Sequence, residues 1–309
     1  MRRLSPVCAI LLIAACKGAE KAADTTAVAP DTAPRLVVSV PGFKVPESVR
    51  YDEEQDVFFV SNIDGNPSMK DGNGFISRVR ADGTVDSLMF IAGGRDGVIL
   101  NAPKGVAIVG DTLWVSDIDA ARAFNRRTGE PIATVEMKRM GATFLNDVAI
   151  GPDGSVYITD TGIRFDAKGG MTHPGRDRVY RIMGRTPKVV VEGDSLGGPN
   201  GIAWDATKNR FVIAPFNSQW LFSWQTDAVQ PAALATGPGG YDGLEVLADG
   251  RILVSSWADS SIHEFKGDSR RVVISGKPAP ADFGIDTKRN RIAIPLFNDG
   301  TVEIWQLVR

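Results

Sequence analysis

A chain of 309 residues with 43% hydrophobic content is long enough to bury the core of one large all-β domain or of two smaller ones. Its 35 Lys and Arg stand against 37 Asp and Glu, a formal net charge of -2, with no basic block or arginine-rich stripe. The electrostatic footprint of a nucleic-acid binder is absent, and that class is set aside.

The chain opens MRRLSPVCAILLIAAC, a basic pair followed by an apolar stretch too short to span a bilayer as a helix. Residues 1–15 therefore read as an export signal. Its end, Ile13-Ala14-Ala15-Cys16, resembles a bacterial lipobox, in which the signal is cut before the cysteine and that cysteine is lipidated. Ordinary cleavage after a small residue is the alternative. On the lipobox reading the mature protein is a membrane-anchored lipoprotein, periplasmic or at the cell surface, held through Cys16. Cleavage also removes Cys8, so no disulfide forms within the chain, and the loss of Arg2 and Arg3 takes the formal charge to about -4. Residues 16–34 are rich in Ala, Thr, Asp and Pro and lack aromatics. They cannot bury enough apolar surface to offset their ordering entropy and read as a flexible tether. The folded domain is expected over residues 35–309.

From Pro46 onward one pattern returns six times: a polar opening residue, an alternating apolar run, a tight polar turn and a second alternating run. The copies are PESVRYDEEQDVFFVSNI, PKGVAIVGDTLWVSDI, LNDVAIGPDGSVYITDT, PNGIAWDATKNRFVIAPF, YDGLEVLADGRILVSSW and PADFGIDTKRNRIAIPLF. They start 57, 42, 54 and 42 residues apart, with about 40 more to the sixth, and each interval suits one four-stranded propeller blade. Period-two alternation marks the strands, and Asp-Gly at 153–154 and 249–250 marks hairpin turns. Third runs begin at Phe75, Val179, Leu221, Ser261 and Thr301, and fourth runs at Lys188 and Arg271. The last copy ends after Ile304-Trp305 without a fourth run, whereas Leu36-Val37-Val38-Ser39-Val40 stands unpaired ahead of the first. Pairing the two closes the ring and removes two exposed edges. The expected fold is an all-β, six-bladed β-propeller whose last blade is closed by the N-terminal strand.

Chain direction brings the opening residues and the connections from second to third strand to the same mouth of the central channel. The opening positions read Glu47, Lys104, Asn146, Asn200 and Asp242, with Ala281 or Asp282 in the sixth copy. One connection, residues 161–178, is much longer than the others and is a candidate lid or specificity loop. Glu47, Asn146, Asn200 and Asp242 would converge on the axis as two carboxylates and two amide carbonyls. Such hard oxygen donors favour one divalent cation, calcium above zinc or magnesium. The alternative is a channel of Asp and Asn holding ordered water. Lys104 either stabilises an oxyanion on bound substrate or neutralises the acidic channel. His173, in the long loop, is a candidate substrate contact or a solvated side chain. His263 falls in a third strand and reads as structural. The tryptophans fall mostly on strands and should pack between blades, with Trp257 near a mouth connection; DGNG at 71–74 reads as a turn.

Pro-Glu-Ser at 46–48, Leu-Asn-Asp at 145–147, Pro-Asn-Gly at 199–201 and Tyr-Asp-Gly-Leu at 241–244 are similar to the four metal-site motifs of the gluconolactonase and regucalcin (senescence marker protein) family. The likeness runs over roughly residues 40–300, and related six-bladed calcium hydrolases include diisopropylfluorophosphatase and the paraoxonases. It implies that Glu47, Asn200 and Asp242 are metal ligands, that Asn146 is a fourth ligand or contacts substrate, and that Asp242 is the general base. Around Asn146, the text Ala-Thr-Phe-Leu-Asn-Asp-Val and then Thr159-Asp160-Thr161 looks closer to strictosidine-synthase-like and NHL-type propellers. The expected function is calcium-dependent hydrolysis of lactones or related esters by a monomer acting on a small molecule. The metal polarises the carbonyl and Asp242 takes the proton of the attacking water. The alternative is a non-catalytic binding propeller that recognises a ligand or protein through the same face, with the metal holding the ring rigid.

Overall fold

The computed structural model describes Met1 and residues 33–308. The export signal, Cys16 and nearly all of the tether lie outside the described residues. Six four-stranded antiparallel sheets follow one another as blades around a central channel. Their inner strands are Pro46–Asp52, Pro103–Val109, Leu145–Ile150, Pro199–Asp205, Tyr241–Val246 and Gly284–Asp286. In the first five blades strand order follows the chain. In the sixth, the N-terminal strand Arg35–Pro41 pairs antiparallel with Thr301–Gln306, with Val38 opposite Ile304 and Val40 opposite Val302. The ring is therefore the expected propeller, closed as expected.

The core lies between blades, because each sheet has two apolar faces and solvent reaches only its outer edge. Trp114 and Ala107 of blade 2 pack with Leu145, Val148, Ile158 and Tyr180 of blade 3. Tyr157 of blade 3 meets Phe211 and Trp224 of blade 4 at ring-centroid distances of 4.3 and 6.0 Å. Val40 joins Phe58, Val60, Val302 and Ile304 in the layer between blades 6 and 1, so the closing strand is held by apolar packing as well as by its ladder. Trp220 departs from the expected packing: it lies on strand Trp220–Trp224 but is 47% exposed.

Two local devices aim residues at the axis. In each of the first five blades the register between inner and second strands shifts at the opening residue, as between Pro46 and Val49 or Tyr241 and Leu244. Such bulges turn a side chain out of the sheet plane and free a backbone N–H. Hydroxyls of the second strand take up freed groups: Ser61 accepts from Ser48 N at 2.9 Å, Thr159 from Asp147 N at 3.0 Å and Ser255 from Gly243 N at 2.9 Å. The second device is glycine at the residue after the opening position. A Cβ on Gly105 would sit 2.4 Å from Asp147 Cα, one on Gly201 2.4 Å from Asp242 O, and one on Gly243 2.3 Å from Asp282 Cα. The glycines of Pro-Lys-Gly, Pro-Asn-Gly and Tyr-Asp-Gly thus let neighbouring inner strands converge.

Candidate active site

At one mouth of the channel a cavity of about 330 Å³ is floored by Glu47, Lys104, Asn146, Asn200 and Asp242. All five are buried, from 1% exposure at Lys104 to 6% at Asn200. In the sixth blade the bridge between Pro280 and Leu296 puts Ala281 at the opening position, and Asp282 falls one residue deeper, bridged to Ser48. The sixth blade therefore offers no polar side chain at the opening position, while Asp282 joins a second layer of the channel.

Glu47 Oε2, Asn146 Oδ1 and Asp242 Oδ1 are buried without a hydrogen-bond partner, as is Asp282 Oδ1 below them. The orientation of Asn146 is fixed: its Nδ2 donates to Thr161 Oγ1 at 3.0 Å, and that hydroxyl donates to Pro199 O at 2.9 Å. Asn200 Nδ2 donates to Tyr241 O at 3.5 Å. Each amide thus commits one N–H to the scaffold. A buried oxygen with no donor is costly, about 1–3 kcal/mol each and more when charged, and a hard cation would remove that cost at several atoms at once. Among the described residues no three or more His, Cys, Asp or Glu side chains gather as a metal cluster. A cation at this floor would rest on the mixed set of two carboxylates and two amides.

Electrostatics point the same way. Burial pushes the Glu47 carboxyl well above its usual range, and the charges of Asp242 and Asp282 push it further, against Lys104. Burial first, and then the charge of Asp282, hold the Asp242 carboxyl well above its usual range. Burial brings the Lys104 ammonium down to about 8, although Glu47, Asp117 and Asp160 favour its charge. Lys104 Nζ donates to Ala102 O at 3.1 Å and Pro67 O at 3.2 Å and lies 4.1 Å from the centroid of the Phe144 ring. The floor carries more negative charge than its surroundings solvate.

Beneath it, Arg50 of blade 1 donates to Glu245 of blade 5 and, at 2.9 Å, to Val106 O of blade 2, spanning the channel. Asp147 accepts from Ile202 N at 2.7 Å, and Asp282 accepts from Ser48 Oγ at 2.5 Å. This buried layer went unread in the sequence. Its signal was there: Arg50, Asp147 and Glu245 are charged residues inside otherwise alternating inner strands.

The walls are apolar. The residue following each second strand is Ile63, Ile118, Thr161, Phe216, Trp257 and Phe297 in blades 1 to 6, and all but Ile118 line the cavity. Phe216, Trp257 and Phe297 form a continuous arc with centroid separations of 5.6 and 5.3 Å. On the opposite side stand Phe144 and Phe165, 5.8 Å apart. Phe165 belongs to the long connection, which folds into a small hairpin of Arg164–Phe165 and Met171–Thr172 over the mouth. His173 does not line the cavity. Its Nε2 lies 2.8 Å from Asp177 Oδ1, and Asp177 Oδ2 accepts from Gly198 N at 2.6 Å, so this histidine braces the base of the loop. His263 is buried in a third strand between Ser261 Oγ and Asp259 Oδ2, each at 2.8 Å, away from the channel.

The chain is thus a six-bladed propeller with an oxygen-donor floor at one mouth and an aromatic wall above it. The chain belongs to the SMP-30/gluconolactonase/LRE-like region family, whose model matches residues 45–281. Comparison with curated proteins finds no match. Among solved structures, a gluconolactonase from Xanthomonas campestris is 18% identical with a TM-score of 0.67, covering 89% of this chain and 95% of that one. A streptogramin B lyase is 9% identical with a TM-score of 0.58 over 88% and 96% of the two chains. A nidogen/laminin complex contributes a chain 16% identical with a TM-score of 0.56, over 72% and 76%. At these identities the likeness is one of fold.

Proposed function

We propose that this protein is a hydrolase of lactones or related esters that works with one divalent cation, calcium by the hardness of its donors, held by Glu47, Asn146, Asn200 and Asp242. The observation that carries this reading is the set of buried, unpartnered oxygens converging on one cavity floor. Family membership supports a lactonase-type chemistry in broad terms. When bound, the ion supplies Lewis-acid polarisation of the substrate carbonyl and favours ionisation of water. The Asp242 carboxylate takes the proton as water adds to the carbonyl carbon; the ring C–O bond then breaks and its oxygen leaves as a hydroxyl, taking that proton back from Asp242. Lys104, pinned by two carbonyls beside the floor, faces the negative charge that develops on the carbonyl oxygen. Asn146 is oriented by Thr161 to offer its carbonyl to the ion or to the substrate. His173 acts at one remove, by setting the loop that covers the mouth. The protein works as an exported monomer tethered through lipidated Cys16.

The test is a panel of lactones, aryl esters and phosphotriesters, with and without calcium, on wild type and Asp242→Asn. Calcium-dependent turnover that Asp242→Asn lowers by about 100-fold or more, with the fold retained, is the expected result. A wild type that binds calcium and turns over nothing on the panel would replace the enzyme with a binding propeller.

A further inference from the structure

We infer that the substrate carries an apolar acyl or aryl substituent beside its reacting carbonyl, and that a polyhydroxylated sugar lactone is a poor fit. This rests on the hydrolase reading for its reacting group and on the walls for its selectivity. Above the floor the cavity is bounded by Phe144, Phe165, Met171, Phe216, Trp257 and Phe297. Most polar side chains nearby are spoken for; the exceptions in the lining are the exposed Asn217 and the Trp257 Nε1–H, which is buried without a partner. Thr161 is engaged with Asn146 and Pro199, and Lys104 holds two carbonyls against the Phe144 ring. Glu47, Asn146, Asn200 and Asp242 belong to the floor. A ring of hydroxyls entering this space would leave water for aromatic carbon with few groups to receive it, and unpaired buried hydroxyls are strongly disfavoured. An aryl or alkyl group instead displaces water from the Phe216, Trp257 and Phe297 arc and gains contact. The volume, about 330 Å³, lies at the lower end for small-molecule pockets and suits one lactone ring with one such substituent.

The experiment uses the calcium-loaded chain and compares glucono-δ-lactone, δ-valerolactone and δ-lactones carrying a pentyl or phenyl group. In parallel, the corresponding δ-lactams, which do not turn over, are titrated by tryptophan fluorescence, with Trp257→Phe identifying the responding residue. The expected result is a kcat/KM at least about tenfold higher for the phenyl-bearing lactone than for δ-valerolactone, with glucono-δ-lactone lowest. Phe216→Ser and Phe165→Ser should each erase most of that ratio and weaken the phenyl lactam. Equal or better use of glucono-δ-lactone, with no lactam preference, overturns the inference and leaves the hydrolase intact. If nothing is hydrolysed the hydrolase reading fails instead, and the lactam titration alone decides: tighter phenyl lactam supports an apolar ligand, and no difference overturns it.

Discussion

Asn66 Nδ2 donates to the carbonyl of Asp166 at 2.7 Å, joining a loop of blade 1 to the hairpin of blade 3 across the top of blade 2. Phe165 N donates to Ser68 Oγ at 3.0 Å alongside it. Between them these bonds strap the mouth above Lys104, which itself holds Pro67 of the same loop. An exposed hydrogen bond of this kind contributes about 0.5–1.5 kcal/mol. Asn66→Ala should therefore leave the melting temperature nearly unchanged, speed amide exchange in the hairpin, and raise KM by about three- to tenfold with a smaller change in kcat. Unchanged exchange at residues 164–172 would show that the strap is held by other contacts.

Calcium should stabilise the folded chain by about 2.7 kcal/mol when present at a hundredfold excess over its Kd, as ligand linkage requires. Glu47→Gln or Asp242→Asn should shrink that response, because each removes one of two floor carboxylates. Differential scanning calorimetry across a calcium series, with metal analysis of the purified protein, makes the measurement. A melt indifferent to calcium would favour a water-filled channel.

The buried carboxylates also set a pH dependence. Burial raises Asp147 from 3.8 to about 7 against the opposing charge of Arg50, and Glu47, Asp242 and Asp282 are raised as well. A folded-state pKa above the unfolded one means that the folded state binds more protons, so stability falls as pH rises through the window, from about 4 to about 7 for Asp147. The calcium-free protein should lose melting temperature between about pH 5 and about pH 8, in contrast to the usual carboxylate behaviour. Calcium, which binds the ionised forms, should flatten the slope and release protons on binding, readable by calorimetry in buffers of different ionisation enthalpy.

Gly243→Ala is expected to be severe for so small a change. The added methyl meets Asp282 Cα at 2.3 Å and its Oδ1 at 2.4 Å, where backbone must move. Overpacking of this kind costs about 1–3 kcal/mol or more. Because Asp242 precedes it, the calcium response should fall together with the melting temperature; Gly250→Ala, at a turn, offers a comparison without that coupling.

Membrane attachment is tested by Cys16→Ala. If Cys16 is lipidated, the variant should leave the membrane fraction or stay unprocessed, and the wild type should carry the mass of a diacylglycerol. The same fractionation and mass in both would rule out the anchor.

Much of this molecule is written in short-range order. Alternation and Asp-Gly turns define the inner hairpins, and their recurrence sets six blades, since one such sheet cannot bury both faces alone. The unpaired Leu36–Val40 run and the missing last strand prescribe the closure that Val38 and Val40 make with Ile304 and Val302. The opening residues Glu47, Lys104, Asn146, Asn200 and Asp242 were legible because a polar group recurs where a strand enters a core. The outer strands Val85–Ala92, Pro131–Glu136 and Ala232–Thr236 were not. They are largely exposed, so no apolar pattern constrains them, and their identity as strands comes from pairing with the strand inside. Ala120–Asn125 was not legible for the opposite reason: buried on both faces from Ala120 to Phe124, it shows no alternation of apolar and polar residues. Three-dimensional assembly alone sets Ala281 rather than Asp282 at the opening position, draws Arg50, Asp147, Glu245 and Asp282 into one layer, and turns residues after separate strands into one aromatic wall. Those contacts join positions up to 234 residues apart, as between Ser48 and Asp282. Local periodicity states which way a side chain faces within its own blade, and the closing of the ring decides what it meets there.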